Sequence, residues 1–297
     1  MKFPILLPNI FNHPFTYKSN LDLKVGDYVV VPFGKSKIIG VVWNEFETKN
    51  DKKFIVKDVI KKLNIYPLKK KTINFLNWFA IYNIIPKGMV LKLLFLSNKA
   101  IEKFTIDKYQ YFEPKIKLHG LKLSEEQDRS LKQITDSMKS FRVHVLHGVT
   151  GSGKTIVYFE AIKKVIEKGS QSLILLPEIG LTSEFEKKFL DFFGFKAAIW
   201  HSGINKKKKE IIWSGIAEGH IKVVIGARSS LFLPFKKLGL IVVDEEHDQS
   251  FKQDEGIIYN ARDMAISRAS FEDIPINLVT SIPSIETYEN IKKKKYL

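Results

Sequence analysis

Gly148-Val149-Thr150-Gly151-Ser152-Gly153-Lys154-Thr155 restricts the fold of this chain more than any other segment. It fits the pattern G-x-x-x-x-G-K-T, and its flanks fit as well. Residues 142–147 read as a strand. Residues 155–168 read as a helix, with Ile156, Phe159, Ile162, Val165 and Ile166 apolar and Gly169 as its stop. Between a strand and a helix, such a loop curls so that backbone N–H groups and the helix N-terminus face phosphate oxygens. Gly148, Gly151, Ser152 and Gly153 then form the cradle, Lys154 reaches the β- and γ-phosphates, and the Thr155 hydroxyl ligates Mg²⁺. Further apolar strands at 172–176, 222–225, 240–243 and 276–279 alternate with helical stretches, which is the pattern of a mainly parallel α/β sheet.

The strand at 240–243 runs into Asp244-Glu245-Glu246-His247-Asp248. Carboxylates at Asp244, Glu245, Glu246 and Asp248 repel one another unless a cation is near. Asp244 is placed to hold Mg²⁺ through water and Glu245 to polarise an attacking water. His247 is placed to sense a γ-phosphate. Lys154, Asp244, Glu245 and His247 are the catalytic candidates, and ATP with Mg²⁺ is the ligand pair they call for.

The first third of the chain has a different pattern. Residues 1–66 show short β-type runs, Tyr28-Val29-Val30-Val31, Ile38-Ile39-Gly40-Val41-Val42-Trp43 and Phe54-Ile55-Val56, punctuated by Pro32-Phe33-Gly34-Lys35. Residues 70–82 read as a helix with Ile73, Leu76, Trp78, Phe79 and Tyr82 near one face, and an apolar segment follows at 89–96. Residues 98–120 are polar and mixed. The expected organisation is a β-rich domain over 1–97, a linker over 98–120 and an α/β lobe over 121–297.

With no cysteine, the chain has no disulfide and no thiolate zinc site, so zinc is not expected. No apolar run approaches 18 residues, which excludes a spanning helix by hydropathy. The apolar start, Met1 to Pro8, is broken by Pro4 and Pro8 and does not read as a signal peptide, so a cytoplasmic location is expected. The formal charge is +16, and residues 1–120 hold 21 Lys against 9 Asp and Glu. Such an excess is the electrostatic footprint of a polyanion partner, nucleic acid above all. Lysine outnumbers arginine 43 to 5, a bias that an AT-rich genome also produces, so composition alone leaves both origins open.

More segments carry a resemblance. They are Leu176-Pro177-Glu178-Ile179-Gly180-Leu181-Thr182, His201-Ser202-Gly203, Ile225-Gly226-Ala227-Arg228-Ser229-Ser230-Leu231-Phe232 and Tyr259-Asn260-Ala261-Arg262-Asp263. With the two motifs above, in this spacing, the chain resembles the PriA family of bacterial replication-restart helicases, within helicase superfamily 2. The resemblance covers most of 120–297 and, more loosely, 1–97. It implies a RecA-like lobe behind a domain for the 3′ end of a nascent strand. It also implies that Gln127 contacts adenine and that Pro177, Glu178, Gly180, Arg228 and Ser229 track a single strand. Phe251, Lys252 and Tyr259 would belong to an aromatic-rich loop coupling DNA to the ATP site. Phe15 and Tyr17, in Phe15-Thr16-Tyr17, would lie on the end-binding surface. The partners implied are DNA forks, single strands and 3′ ends, with primosome and single-strand-binding proteins, and no membrane.

Some positions depart from the family pattern. Thr16 stands where an acidic residue is usual, Ile257 where Trp is common, and Val279-Thr280-Ser281-Ile282-Pro283 where Gly-Ser-Ala-Thr-Pro is usual. The stretch 98–120 is short for the family's winged-helix domain, and the sequence contains one lobe, without the second lobe, its arginine finger or the Cys-rich zinc module. The expected activity is ATP hydrolysis coupled to 3′-to-5′ movement on DNA. The alternatives are an ATP-responsive fork-recognition module that does not unwind, or one half of a split gene product.

Overall fold

Turn residues and β-branched runs in the first third build a small antiparallel sheet. The structure, a computed structural model, describes residues 1–46, 55–95, 122–177 and 180–297. The expected linker, with Phe54, Leu96 and Glu178, lies outside the described residues. Strands β1 (Lys2–Leu6), β2 (Phe15–Lys18), β3 (Tyr28–Phe33), β4 (Ser36–Val42) and β5 (Lys61–Lys62) lie in the order β2-β1-β4-β3-β5. The β3–β4 hairpin turns at Gly34, where φ is +59° and a residue without Cβ is favoured. Ile5, Leu7, Tyr17, Val29, Val31 and Val42 fill one core beneath the sheet. Ile55 and Val56 are not in a strand, contrary to the apolar pattern; the pairing with β3 is made by Lys61 and Lys62 instead. Backbone partners rather than side-chain pattern decide that register.

Helices α1 (Lys70–Tyr82) and α2 (Lys87–Leu94) follow. The buried side of α1 is Ile73, Phe75, Leu76, Phe79 and Ala80. Tyr82, expected on that face, is exposed and stacks on Trp78 with ring centroids 4.8 Å apart. By compactness this first unit also contains the helix Lys206–Glu218, from much later in the chain. Its Trp213 is buried, donates Nε1–H to Leu94 O at 2.8 Å and meets Tyr28 edge-on at 5.8 Å.

The second unit is an α/β lobe. Its elements are α3 (Glu125–Asp136), β6 (Val143–His147), α4 (Lys154–Glu167), β7 (Gln171–Leu175), α5 (Ser183–Phe193) and β8 (Ala198–Trp200). After the helix already described, now α6, come β9 (Val223–Gly226), β10 (Leu238–Asp244), β11 (Lys252–Gln253), β12 (Tyr259–Asn260), α7 (Ala261–Glu272), β13 (Ile276–Thr280) and α8 (Ile285–Lys292). The main sheet is parallel with order β6-β13-β10-β7-β9-β8, and the lobe is RecA-like. Phe159 of α4 meets Phe189 at 5.5 Å and Phe193 at 5.2 Å, a phenylalanine-rich core joining α4 to α5. Each buried ring contributes roughly 1.5–3 kcal/mol. Among the described residues no helix is long and apolar enough to cross a membrane.

Candidate nucleotide site and its surroundings

Strands β6, β13 and β10 are neighbours, so their C-terminal ends open on one edge of the sheet. That edge is where open parallel sheets hold ligands. β6 delivers the Gly-rich loop, β10 the acidic motif and β13 the segment beginning at Thr280.

Gly151 and Gly153 have φ of +81° and +82°, which only glycine adopts without strain. A Cβ on Gly153 would lie 2.5 Å from Gln127 Nε2. Gly153 is also the N-cap of α4, so the helix begins at Lys154 and aims its N-terminus along the loop. The Lys154 ammonium lies 2.6 Å from Gly148 O and 3.1 Å from Val149 O. Both carbonyls accept hydrogen bonds from the ammonium.

Asp244 meets this loop. Tyr158, one helical turn after Thr155, donates its hydroxyl to Asp244 Oδ2 at 2.8 Å, and Thr155 bonds the same phenol. Burial lifts the Asp244 carboxyl above the usual carboxylate range and Glu245 adds to the rise. The Tyr158 bond, the Glu245 N–H and the Lys154 charge pull it back. Lys154, Thr155, Tyr158 and Asp244 therefore form one cluster. A half-buried carboxylate opposite a lysine whose ammonium rests on carbonyls, beside a glycine cradle, fits a phosphate chain with a divalent cation.

The acidic motif does not present four carboxylates to one cation. Glu245 is left partly exposed, with its backbone in the left-handed region at φ +51°. Glu246 turns inward and is fully buried, where Arg262 neutralises it at 3.2 Å. Asp248 caps a short 3-10 turn by accepting Ser250 N–H at 2.7 Å. The expected mutual repulsion is relieved by direction: Asp244 and Glu245 stay with the loop while the other two serve the fold. His247 Nδ1 is 2.9 Å from Thr280 Oγ1. The single hydroxyl proton of Thr280 goes to Ile282 O at 2.8 Å, so Nδ1 is assigned as the donor to Thr280. The altered segment after β13 thus keeps a hydroxyl contact with the acidic motif.

Gln127 serves the loop from behind. Its Oε1 accepts Ser124 N–H at 3.0 Å in a capping box, and its Nε2 donates to Ser152 O at 3.0 Å. Both ends of the amide are thus engaged by protein. Arg228 Nη1 donates to Lys252 O at 2.8 Å, and Ser229 Oγ accepts Trp200 Nε1–H at 3.2 Å. Pro177 is buried and Gly180 half-buried. Phe251 and Tyr259 are only 1% and 4% exposed, and Tyr259 meets Phe232 edge-on at 5.5 Å. Stacking on a base needs an open ring face, and both rings spend theirs on packing. Lys252 is exposed between them. In the first unit, Tyr17 is buried and donates to Pro32 O at 3.1 Å, while Phe15 lies half-buried among Phe11, His13 and Phe33.

Sequence reasoning missed Tyr158 as a member of this site. Tyr158 had a usable signal, its spacing one turn past Thr155 on the same helix face.

Residues 4–95 match the profile of the PriA 3′ DNA-binding domain (3′BD), and residues 120–293 match the family described as Type III restriction enzyme, res subunit. The replication restart protein PriA of Rickettsia conorii is 42% identical over 294 residues, covering 98% of this chain and 44% of that protein. PriA of Bacillus subtilis is 37% identical over 219 residues, covering 73% of this chain and 26% of that protein. RecG bound to a three-way DNA junction shares 25% identity with a TM-score of 0.44, covering 57% of this chain and 22% of that one. The chain spans less than half the length of the Rickettsia relatives it matches.

Proposed function

Because the chain belongs to the PriA family of replication restart proteins, we propose that it is the DNA-end-binding and ATP-binding portion of a 3′-to-5′ replication-restart helicase. The observation that carries the reading is the convergence of Lys154, Thr155, Tyr158 and Asp244 at the C-terminal edge of adjacent strands. The roles follow from position. Backbone N–H groups of residues 151–155 bind the phosphates, and Lys154 moves from the Gly148 and Val149 carbonyls onto them. Thr155 and Asp244 would hold Mg²⁺, which would offset the charge on the phosphates. Glu245 orients the attacking water, and His247, bonded to Thr280, senses the γ-phosphate.

DNA is the proposed partner of the first unit. Support comes from its similarity to the 3′ DNA-binding domain profile, the lysine excess in residues 1–120 and the half-exposed rings of Phe11, Phe15 and Phe33. Aromatic faces grip bases with little sequence preference. Forks, single strands and 3′ ends are the proposed substrates, and primosome and single-strand-binding proteins the proposed protein partners. The test is fluorescence anisotropy of the 297-residue protein with branched, 3′-ended DNA at several salt concentrations. Binding that weakens by about 10³ or more between 50 and 200 mM salt, as for six or more phosphate contacts, is expected. No binding at low salt would leave the lysines as codon bias.

A further inference from the structure

Glu246 is a buried carboxylate that the proposed chemistry does not use. Its Oε1 accepts Ser284 N–H at 2.8 Å. Its Oε2 takes Arg262 Nη1 at 3.2 Å, Ser284 Oγ at 3.1 Å and Thr287 Oγ1 at 3.0 Å. Ser284 is the N-cap of α8, so the carboxylate sits over that helix N-terminus, where negative charge is favoured. Its own N–H donates to Val279 O at 3.1 Å. The residues on both sides of it contact other parts of the lobe: Glu245 interacts electrostatically with Asp244 and Tyr158, and His247 bonds Thr280.

A buried carboxylate is costly unless every lone pair is used. Here four side-chain and backbone donors from two helices converge on this one group. Such a satisfied network admits one arrangement. We propose that Glu246, with Arg262, Ser284 and Thr287 as positioning residues, clamps the acidic motif to the start of α8. Glu245, His247 and the first turn of α8 then respond to nucleotide as one body. The proposal rests on the reading of Lys154 and Asp244 as the Mg²⁺–ATP site.

Hydrogen exchange on the 297-residue protein tests it, with saturating Mg²⁺–ATP and without. In the wild type, nucleotide is expected to slow amides 284–288 as well as 148–155. The slowing at 284–288 should be at least about fivefold, the low end of coupling between sites. Thr287→Val removes one donor and keeps the shape. It should abolish the slowing at 284–288 while leaving the slowing at 148–155 in place, and Thr287→Ser should restore it. A merely structural Thr287 would raise exchange in α8 with and without nucleotide alike. The clamp is overturned if the wild type shows no nucleotide-dependent slowing at 284–288, or if Thr287→Val retains it. Should the Val variant not fold, the wild-type arm still decides. Absence of slowing at 148–155 in the wild type would instead bring down the nucleotide-site reading on which the clamp stands.

Discussion

Single residues in this chain read differently according to what faces them. His144 on β6 is buried, with Nε2 2.6 Å from Ser137 Oγ, and burial with the nearby Arg142 charge lowers its pKa to about 4. An unfolded histidine titrates near 6.5. Between those values the unfolded chain binds the extra proton, so stability falls as pH drops from about 6.5 toward 4. Denaturant midpoints at pH 7 and pH 5 should differ more in the wild type than in His144→Gln; equal differences would show that His144 is not the titrating group. The sequence could not reveal this, because a lone histidine in a strand carries no sign of what covers it. The phosphate loop was legible because its function is written in consecutive residues, each with a fixed backbone task. Phe251 and Tyr259 looked like stacking residues from type and resemblance. Burial, which depends on distant partners such as Phe232, consumes their faces.

At the scale of elements, local periodicity located α1 and the apolar strands of the lobe, whose continuous apolar runs mark a sheet buried on both faces. Strand β1 was hidden by Pro4, which argues against a strand between two neighbours. Pro4 escapes the conflict because pairing with β4 runs only over Ile5 and Leu6. Helix α6 was hidden for another reason. Lys206-Lys207-Lys208-Lys209 reads as a solvated run, and nothing local shows that Ile212, Trp213 and Ile216 are buried in the first unit. The consequence is that residues 1–97 expressed alone lack a helix of their own core. Trp213→Ala in the full chain is expected to destabilise the first unit by roughly 3–5 kcal/mol, the usual cost of emptying a large aromatic site. Urea unfolding followed by exchange of the β3 and β4 amides would measure it. A loss under about 1 kcal/mol would mean that α6 is peripheral to that unit.

Across the whole molecule, the parallel α/β class was legible from strand and helix alternation, the RecA-like lobe from the family resemblance, and the site from two motifs on neighbouring strands. The 297 residues also bear on turnover. An arginine aimed at the γ-phosphate typically adds about 10³–10⁵ in rate. Here Arg262 is committed to Glu246, Arg268 is buried and donates to the Leu231 and Leu233 carbonyls, and Arg228 holds Lys252 O. Arg142 precedes β6 at the end of the strand away from the phosphate loop, and Arg129 is exposed on α3. A polypeptide of these residues should therefore bind Mg²⁺–ATP yet release phosphate slowly and displace no strand. Phosphate release and strand displacement with forked DNA would check this, and robust unwinding would show that an arginine is supplied by self-association or is not needed.

The nucleotide site itself is tested most directly by titration calorimetry of Mg²⁺–ATP into the wild type and Lys154→Ala. A charge-assisted contact to phosphate contributes roughly 1.5–3 kcal/mol, so the variant should bind at least about tenfold more weakly, with its fold intact. Equal affinity in the two proteins would contradict the assignment of the Gly148–Thr155 loop as the phosphate cradle.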